Sequence, residues 1–355
     1  MDTKNTVVIS GYYGFDNIGD EAVLQSIIGA LREQMPQVNI VVLSNTPQKT
    51  KAVYNVEAVN RWKIKEVAAA IKKSSLLISG GGSLLQDVTS NKTVPYYLGI
   101  IKIAQFFKKP VVLYSQGVGP VNKGFNKTLI KIICSKVNHI FVREIGSKKL
   151  LEEMKVKAPI TVAIDPVLGI KVKDLVLDKV IEPKTVGIYV RPWQNTAQIA
   201  EELAPVIKHI DNLGYSVYMI PMYYNEDVAA AKAVVERLDV NVKLIDRELT
   251  IDEAVAYTAN FDFIIGMRLH SLIMAGAVGT PMIALSYDPK VQGFMEEMNL
   301  PYAVDTNHIE RQALIAMVDE ITSNLEAKKA EVNAAYERHK EKVYLPAKHI
   351  KGLLE

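Results

Sequence analysis

Short apolar runs alternate with longer amphipathic stretches along the chain. The apolar runs are rich in Val and Ile and lack strict alternation, as strands buried on both faces of a parallel sheet do. The predicted strands are 6–10, 38–43, 76–79, 111–115, 140–142 and 161–164, then 186–190, 216–220, 242–245, 263–265 and 282–286. Because the stretches between them have helical spacing, the pattern predicts an α/β fold with doubly wound parallel sheets.

The alternation lapses once, in a charged stretch around 171–184 that contains Pro183. We therefore predict two Rossmann-like domains, residues 1–172 and 173–325, and a helical tail at 326–355 that can pack back on the N-terminal domain. A length of 355 residues also favours two domains, since single cores stop growing at roughly 250–300 residues. Two such domains are expected to face a common cleft at the carboxyl ends of their sheets, where open α/β sheets bind ligands.

Composition excludes several classes of protein. With 49% hydrophobic residues and a net charge of +3, the chain is neither disordered nor a nucleic-acid binder, which would need a clustered basic face. The single cysteine, Cys134, excludes an intramolecular disulfide and a multi-cysteine metal site, and it is predicted to lie in the core. No grouping of His, Asp and Glu has the spacing of metal ligands, so no metal is expected.

The chain carries no predicted export or membrane segment. No basic stretch followed by an apolar one precedes the first predicted strand, so we expect no secretory signal. The longest stretch without Asp, Glu, Lys or Arg is 269–287, close to the length of about 20 residues that spans a bilayer. Because Gly279-Thr280-Pro281 interrupts it, we predict a buried helix, a turn and a buried strand, in a cytoplasmic protein.

An acidic, glycine-containing loop follows the first predicted strand. Residues 11–21 read GYYGFDNIGDE and include Asp16, Asn17 and Asp20. The loop matches neither the dinucleotide fingerprint nor the phosphate loop, and its acidity suits a polar sugar group better than a bare phosphate. The alternative is a capped turn with Asp20 as the helix N-cap.

Two further glycine-rich segments follow strands of the first half. One reads SGGGSLLQD and contains Gly80, Gly81 and Gly82, and the other reads SQGVGP and contains Gln116. Glycines let a ligand approach the backbone closely, but a tight turn explains each segment equally well.

Cationic residues follow strands in both halves. Arg143 comes after the fifth strand, where it either pairs with Glu144 or another acid, or faces a ligand anion, and we favour the ligand. In the second half, Arg191 precedes an aromatic residue and Lys290 follows the last predicted strand. Arg143 and Lys290, together with Arg268, are candidates to bind a small polyanion.

The sharpest cluster is Arg268-Leu269-His270, where an apolar strand gives way to a helix. A helix N-terminus disfavours the imidazolium cation and a nearby anion favours it, so His270 can act as an acid or a base at neutral pH. Arg268 can bind a carboxylate or phosphate with two parallel hydrogen bonds. A structural histidine is the alternative, but the position at a strand end favours function.

The order GYYGFDNIGDE, SGGGSLLQD, SQGVGP, VRE and RLHSLI resembles the polysaccharide pyruvyltransferase family, over about residues 7–290. The CsaB type, which modifies secondary cell-wall polysaccharide and supports S-layer anchoring, is the most similar. The resemblance implies a glycosyltransferase-B-like fold and phosphoenolpyruvate as a co-substrate, with no cofactor. It implies a 4,6-ketal on β-N-acetylmannosamine, in a lipid-diphosphate-linked disaccharide at the inner face of the cell membrane.

The resemblance also suggests a role for each candidate residue. His270 is the expected general acid and base, assisted by Arg268. Phosphoenolpyruvate would be bound by a set of cations on both halves, namely Arg143, Arg191, Arg268 and Lys290. The acceptor would be bound by polar and glycine residues of the first half, namely Asp16, Asn17, Asp20, Gly80, Gly81, Gly82 and Gln116.

Two other functions share these features. A nucleotide-sugar glycosyltransferase or epimerase has the same two-domain shape, the glycine-rich loops and a histidine in the cleft. A catalytically silent glycan- or polyanion-binding module is a different class, and Arg268, His270 and Lys290 argue against it. The basic stretch 328–351, with seven Lys and Arg against three Glu, is either a solvated helix face or a weak contact with anionic lipid. The oligomeric state does not follow from the sequence.

Overall fold

The chain folds into two compact units. The computed structural model describes residues 5–88, 90, 92–171 and 184–355. One unit consists of Met1–Pro166 and Lys340–Glu355, and the other of Val167–His339. The boundary that we predict between residues 172 and 173 lies outside the described residues.

The first unit is built on one parallel sheet. Its strands are β1 (Thr6–Ser10), β2 (Asn39–Ser44), β3 (Glu57–Asn60), β4 (Leu76–Ser79), β5 (Gly82–Leu85), β6 (Val111–Val118), β7 (His139–Val142) and β8 (Ile160–Val162). They lie in the order β3-β2-β1-β4-β6-β7-β8, and β5 pairs with the far end of β6. Successive strands are therefore added on one side of β1 as far as β3 and on its other side from β4 onward, so the strand order reverses between β1 and β4. The glycine-rich loops flank this switch point.

Six helices connect these strands and a seventh comes from the end of the chain. They are α1 (Ile18–Gln34), α2 (Pro47–Tyr54), α3 (Ile64–Lys73), α4 (Thr93–Phe106), α5 (Gly124–Cys134), α6 (Ile145–Glu153) and α14 (Leu345–Leu354). The last of these packs near α1 and β6. Cys134 is completely buried in the core of this unit, as predicted.

The second unit has a six-stranded parallel sheet. Its strands are β9 (Thr185–Tyr189), β10 (Ser216–Met219), β11 (Val242–Leu244), β12 (Phe263–Gly266), β13 (Met282–Ser286) and β14 (Ala303–Asp305). They lie in the order β11-β10-β9-β12-β13-β14. The three central strands are almost wholly buried because helices cover both faces.

Helices alternate with these strands. They are α7 (Thr196–Asn212), α8 (Tyr224–Val235), α9 (Ile251–Asn260), α10 (Leu269–Val278), α11 (Pro289–Met298), α12 (Arg311–Ser323) and α13 (Leu325–Val343). A reciprocal capping box between Thr250 and Glu253 starts α9. Gly279, with a φ of 77°, ends α10, so the predicted sequence of helix, turn and strand in 269–287 is confirmed.

The predicted fold class is confirmed: both sheets are parallel, with alternating helices and strands. The strands β3, β5 and β14 and the helix α2 were not predicted. No helix in the described part of the chain combines the length and the apolar character that a membrane crossing requires.

Candidate active site

Tyr13 holds together two glycine-rich loops of the first unit. Its ring is 1% exposed and lies against Gly11 and Gly80. A Cβ at either glycine would overlap the Tyr13 ring or its hydroxyl. Among the described residues the Tyr13 hydroxyl has no hydrogen-bond partner, and burial raises its pKa. The glycines are thus required because a buried tyrosine fills the space between the loops.

The acidic loop is anchored by a half-buried glutamate, Glu21. The Gly14 amide donates to Glu21 Oε1 at 2.6 Å, and the Tyr54 hydroxyl donates to Glu21 Oε2 at 2.7 Å. Burial raises the pKa of Glu21, although these hydrogen bonds lower it in part. Glu21 therefore fixes the loop conformation and is engaged on both oxygens.

The helix that follows the loop begins one turn earlier than the capped-turn alternative requires. Asn17, rather than Asp20, is the N-cap of α1, and its side chain accepts from the Gly19 amide at 3.1 Å. Asp20 lies in the first turn, and its Oδ1 is 3.0 Å from the position of a Cβ at Gly82, whose φ is 84°. The prediction of Asp20 as N-cap is wrong because Asn17 has the extended backbone of a cap.

Asp16 and Gln116 occupy different environments. Asp16 has a left-handed backbone with φ of 62° and forms an exposed ion pair with Lys49 at 2.6 Å. Gln116 is fully buried, and its Nε2 donates to Ser79 Oγ and to the Gly80 carbonyl, both at 2.7 Å. Gln116 therefore supports the Gly80–Gly82 segment by its hydrogen bond to the Gly80 carbonyl, whereas Asp16 pairs with Lys49 at the surface of the acidic loop.

Arg143 is held by two carboxylates and a hydroxyl. Its Nε donates to Glu144 at 3.0 Å, Nη1 to Asp165 at 2.9 Å and Nη2 to Ser83 Oγ at 3.0 Å. The side chain is 5% exposed, and although burial lowers its pKa, the two carboxylates raise it overall. The contacts are those of the paired alternative, and any ligand anion would compete with two carboxylates.

Arg268, in the second unit, is also paired. Its Nε donates to both oxygens of Asp227, at 3.1 and 3.0 Å, and its Nη2 contacts Asp227 and, at 3.3 Å, Glu226. Asp227 is completely buried and also accepts the amides of Met222 and Tyr223. Burial lowers the pKa of Arg268, but Asp227 raises it overall. Within the described residues its Nη1 has no hydrogen-bond partner, unlike Nε and Nη2.

Arg191 is held without a carboxylate. Its Nη1 donates to the Tyr287 hydroxyl at 3.0 Å, and its guanidinium lies 5.0 Å from the Tyr287 ring centre and 5.4 Å from that of Trp193. Tyr287 is also among the groups that raise the pKa of Arg268, after Asp227. Among the described residues no acid neutralises Arg191, so its positive charge is uncompensated.

His270 and Lys290 lie at the ends of the neighbouring strands β12 and β13. Half-buried His270 is in the first turn of α10, two residues after Arg268. Lys290 is in the first turn of α11 and lies 3.2 Å from Asp288, which caps that helix. The second unit therefore places Arg191, Arg268, His270 and Lys290 at the carboxyl ends of adjacent strands.

In the ranges that the structure describes, no group of three or more His, Cys, Asp and Glu side chains has the arrangement of metal ligands.

The predicted site residues fall on both units: Arg143 and the acceptor residues on the first, the other cations and His270 on the second.

Comparison with protein families decides the class of protein. The family model described as polysaccharide pyruvyl transferase matches residues 17–289, which include all the predicted site residues except Asp16 and Lys290. The chain belongs to this family. It is therefore a transferase that acts in polysaccharide biosynthesis, and the family implies phosphoenolpyruvate as donor and a polysaccharide as acceptor.

Relatives agree on the length and the fold of the transferase. The amylovoran biosynthesis protein AmsJ of Erwinia amylovora is 22% identical, with 94% of this chain and 96% of that protein covered. A glycosyltransferase from Rickettsia africae has a TM-score of 0.65 at 16% identity, covering 98% and 97%. The UDP-GlcNAc 2-epimerase of Neisseria meningitidis, solved with UDP-GlcNAc, has a TM-score of 0.63 at 14% identity, covering 98% and 99%. The transferase thus has a glycosyltransferase-B-like fold, as predicted.

Two residues that hold the arginines of the second unit were not singled out from the sequence. Asp227, the partner of Arg268, lies 41 residues before it in the chain. Tyr287, the partner of Arg191, follows β13, and its position at a strand end is the signal that could have identified it.

Proposed function

We propose that the enzyme binds phosphoenolpyruvate at the carboxyl end of the second unit's sheet and transfers pyruvate to two hydroxyls of one sugar as a ketal. The observation that carries this proposal is that Arg191, which has no acidic partner among the described residues, and Arg268 follow the adjacent strands β9 and β12. Phosphoenolpyruvate carries a phosphate and a carboxylate, and guanidinium groups bind both with charge-assisted hydrogen bonds.

The cations of the second unit differ in how far nearby carboxylates neutralise them, and we propose different roles for them. Arg268 is largely neutralised by Asp227, so it presents a fixed donor edge rather than net charge. Arg191 and Lys290 supply the attraction, because Arg191 has no acidic partner among the described residues and Lys290 shares only Asp288. For Arg143, which two carboxylates and Ser83 hold, we propose a role in positioning the Ser83 segment of the first unit rather than in contacting the anion.

His270 is proposed as the acid and base of the reaction. Its proton goes to C3 of phosphoenolpyruvate, leaving an oxocarbenium-like C2 that one sugar hydroxyl attacks. The bond between C2 and the phosphate oxygen then breaks with its electron pair on phosphate, and the second hydroxyl attacks C2 to close the ketal. One hydroxyl proton restores His270 and the other leaves with phosphate, so atoms and charges balance.

The acceptor is proposed to bind at the glycine-rich loops of the first unit. Asp16 precedes α1, Asn17 caps it and Asp20 lies in its first turn. The Gly80–Gly82 segment is hydrogen-bonded to Gln116. Carboxylates and exposed amides suit sugar hydroxyls better than they suit a second anion. We propose a lipid-diphosphate-linked disaccharide with terminal β-N-acetylmannosamine, as in the CsaB type, with a role in S-layer anchoring.

We propose that the enzyme works in the cytoplasm, on the inner face of the membrane. The basic residues of 328–351 are mostly paired: Lys328 with Glu320 and Glu331, and Lys348 with Glu341. This pairing favours a solvated face over strong lipid attraction. Cosedimentation with anionic vesicles that is lost on charge reversal of Lys348 and Lys351 would support a lipid contact.

The test is mass spectrometry of the synthetic lipid-linked disaccharide incubated with phosphoenolpyruvate. A pyruvyl-ketal increment with phosphate release supports the proposal, and a hexose increment from a nucleotide sugar supports the glycosyltransferase alternative. His270→Ala should abolish ketal formation while phosphoenolpyruvate still binds, whereas exposed His308→Ala, in the same unit, should turn over normally. Near-normal turnover by His270→Ala would refute the assigned role.

A further inference from the structure

The first unit buries an arginine among aromatic rings with no acid beside it. Arg61 follows β3, is 4% exposed, and donates from Nη1 to the Gly11 carbonyl at 2.8 Å and from Nη2 to the Tyr97 hydroxyl at 3.3 Å. Among the described residues its Nε has no hydrogen-bond partner and no carboxylate forms an ion pair with it. The guanidinium lies within 6.0 Å of five ring centres, those of Tyr12, Phe15, Trp62, Tyr96 and Tyr97.

The outer ring of this cluster faces solvent. Trp62 is 61% exposed, although a tryptophan gains more from burial than most side chains. Its orientation is fixed: the indole Nε1 donates to Asn45 Oδ1 at 2.8 Å, and Tyr96 packs against it with ring centres 5.6 Å apart. The Tyr96 hydroxyl in turn donates to the Arg61 carbonyl at 3.2 Å. An exposed indole that its neighbours hold in place is a preformed surface.

The cluster adjoins the acidic loop. Tyr12 and Phe15 belong to that loop and stack with ring centres 4.1 Å apart and planes 6° from parallel. Arg61 joins the two segments, because it contacts both of these rings and the Gly11 carbonyl at the end of β1. The rings and the loop therefore lie at the same edge of the sheet, the edge where the acceptor is proposed to bind.

We propose that Trp62 and Tyr96 form a stacking subsite for a pyranose ring of the acceptor, with Arg61 as its positioning residue. One face of a pyranose carries several C–H groups, which pack on the electron-rich face of an indole, while its hydroxyls stay in water. Arg61 holds the rings from behind through cation–π contacts and a carbonyl. This inference rests on the proposed function, since it concerns the acceptor of that reaction.

The experiment compares Trp62→Ala and Trp62→Phe with Phe125→Ala, which removes another exposed aromatic of the same unit, 70% exposed. Trp62→Ala should raise the KM for the disaccharide about tenfold, leave that for phosphoenolpyruvate within about twofold, and be partly rescued in Trp62→Phe. Phe125→Ala should change neither KM. An unchanged acceptor KM in Trp62→Ala, or an equal rise of both KM values, would overturn the proposal.

A binding measurement separates this proposal from the reaction. The chain has two tryptophans, so Trp193→Phe leaves Trp62 as the only indole fluorophore. Its fluorescence should change on titration with the disaccharide both with and without its diphosphate, and without phosphoenolpyruvate present. If the fluorescence changes only with the diphosphate form, and inorganic pyrophosphate gives the same change, the cluster binds anions and the stacking proposal is refuted. Ketal formation is measured on the unsubstituted enzyme, because Trp193 packs on Arg191. A fluorescence response with no ketal formation would keep the subsite and refute the proposed function, whereas ketal formation without a response would refute the subsite.

Discussion

The pairing of Arg268 with Asp227 predicts a large loss of stability when the carboxylate is removed. Asp227 is 0% exposed and accepts two hydrogen bonds from Arg268 Nε, a contact from Nη2 and two backbone amides. Asp227→Asn keeps the shape but turns an amide N–H₂ toward the guanidinium or toward the backbone amides. Removing one partner of a buried ion pair costs about 3–5 kcal/mol. We expect about 3 kcal/mol, because Glu226 at 3.3 Å and partial exposure of Arg268 offset part of the cost.

The assay is urea unfolding followed by Trp193 fluorescence in a Trp62→Phe background, so that the signal reports the second unit alone. The control is Asp239→Asn, which breaks an exposed pair with Lys208 in the same unit and should change the midpoint little. The double variant Arg268→Met with Asp227→Asn should lose less than the sum of the single losses, because it leaves no unpaired buried charge. A loss below about 1 kcal/mol for Asp227→Asn would refute the reasoning.

Three further predictions concern the first unit. Gly80→Ala should reduce activity and stability together, measured by turnover and unfolding midpoint, because its Cβ would overlap Tyr13. His139 and His349, 4.5 Å apart, have pKa values lowered by burial and, for His139, by the neighbouring ring. The fold thus favours neutral rings, so stability should fall as pH drops below about 6.5, and His349→Gln should weaken that dependence in pH-resolved melts. Burial raises the pKa of Cys134 to about 12, so the native enzyme should resist alkylation by iodoacetamide at pH 8 and react after unfolding, as mass spectrometry will show.

The apolar pattern was sufficient to predict the sheets but not their full membership. Strands such as β1 and β12 are buried runs of Val and Ile, so their sequence differs sharply from that of helices. β3 has one fully buried residue in four, and β5 begins with a glycine inside a segment that reads as a loop. Their strand conformation depends on pairing with β2 and β6, which local sequence does not encode.

The positions of the candidate site residues could be predicted from the sequence, but the acids that pair with the arginines could not. The sequence indicated residues at strand ends because open parallel sheets bind their ligands at the carboxyl ends of the strands. Whether Arg143 faces a ligand or an acid depends on Asp165, 22 residues further on, and the partner of Arg268 is 41 residues away. Separations of this size are set by the packing of helices on the sheet, so only the folded structure shows which acid meets which cation.

The four arginines discussed above fall into two kinds, those neutralised by a paired carboxylate and those held by aromatic rings without a paired acid. Arg143 and Arg268 are fixed by carboxylates, so their net effect on an approaching anion is small and their geometry is rigid. Arg61 and Arg191 are fixed by aromatic rings, and among the described residues neither has an acidic partner. A ring holds a guanidinium in place without cancelling its charge. Of these four arginines, each unit therefore carries one of each kind: Arg191 keeps a charge for the proposed anion site, and Arg61 holds the rings of the proposed stacking subsite.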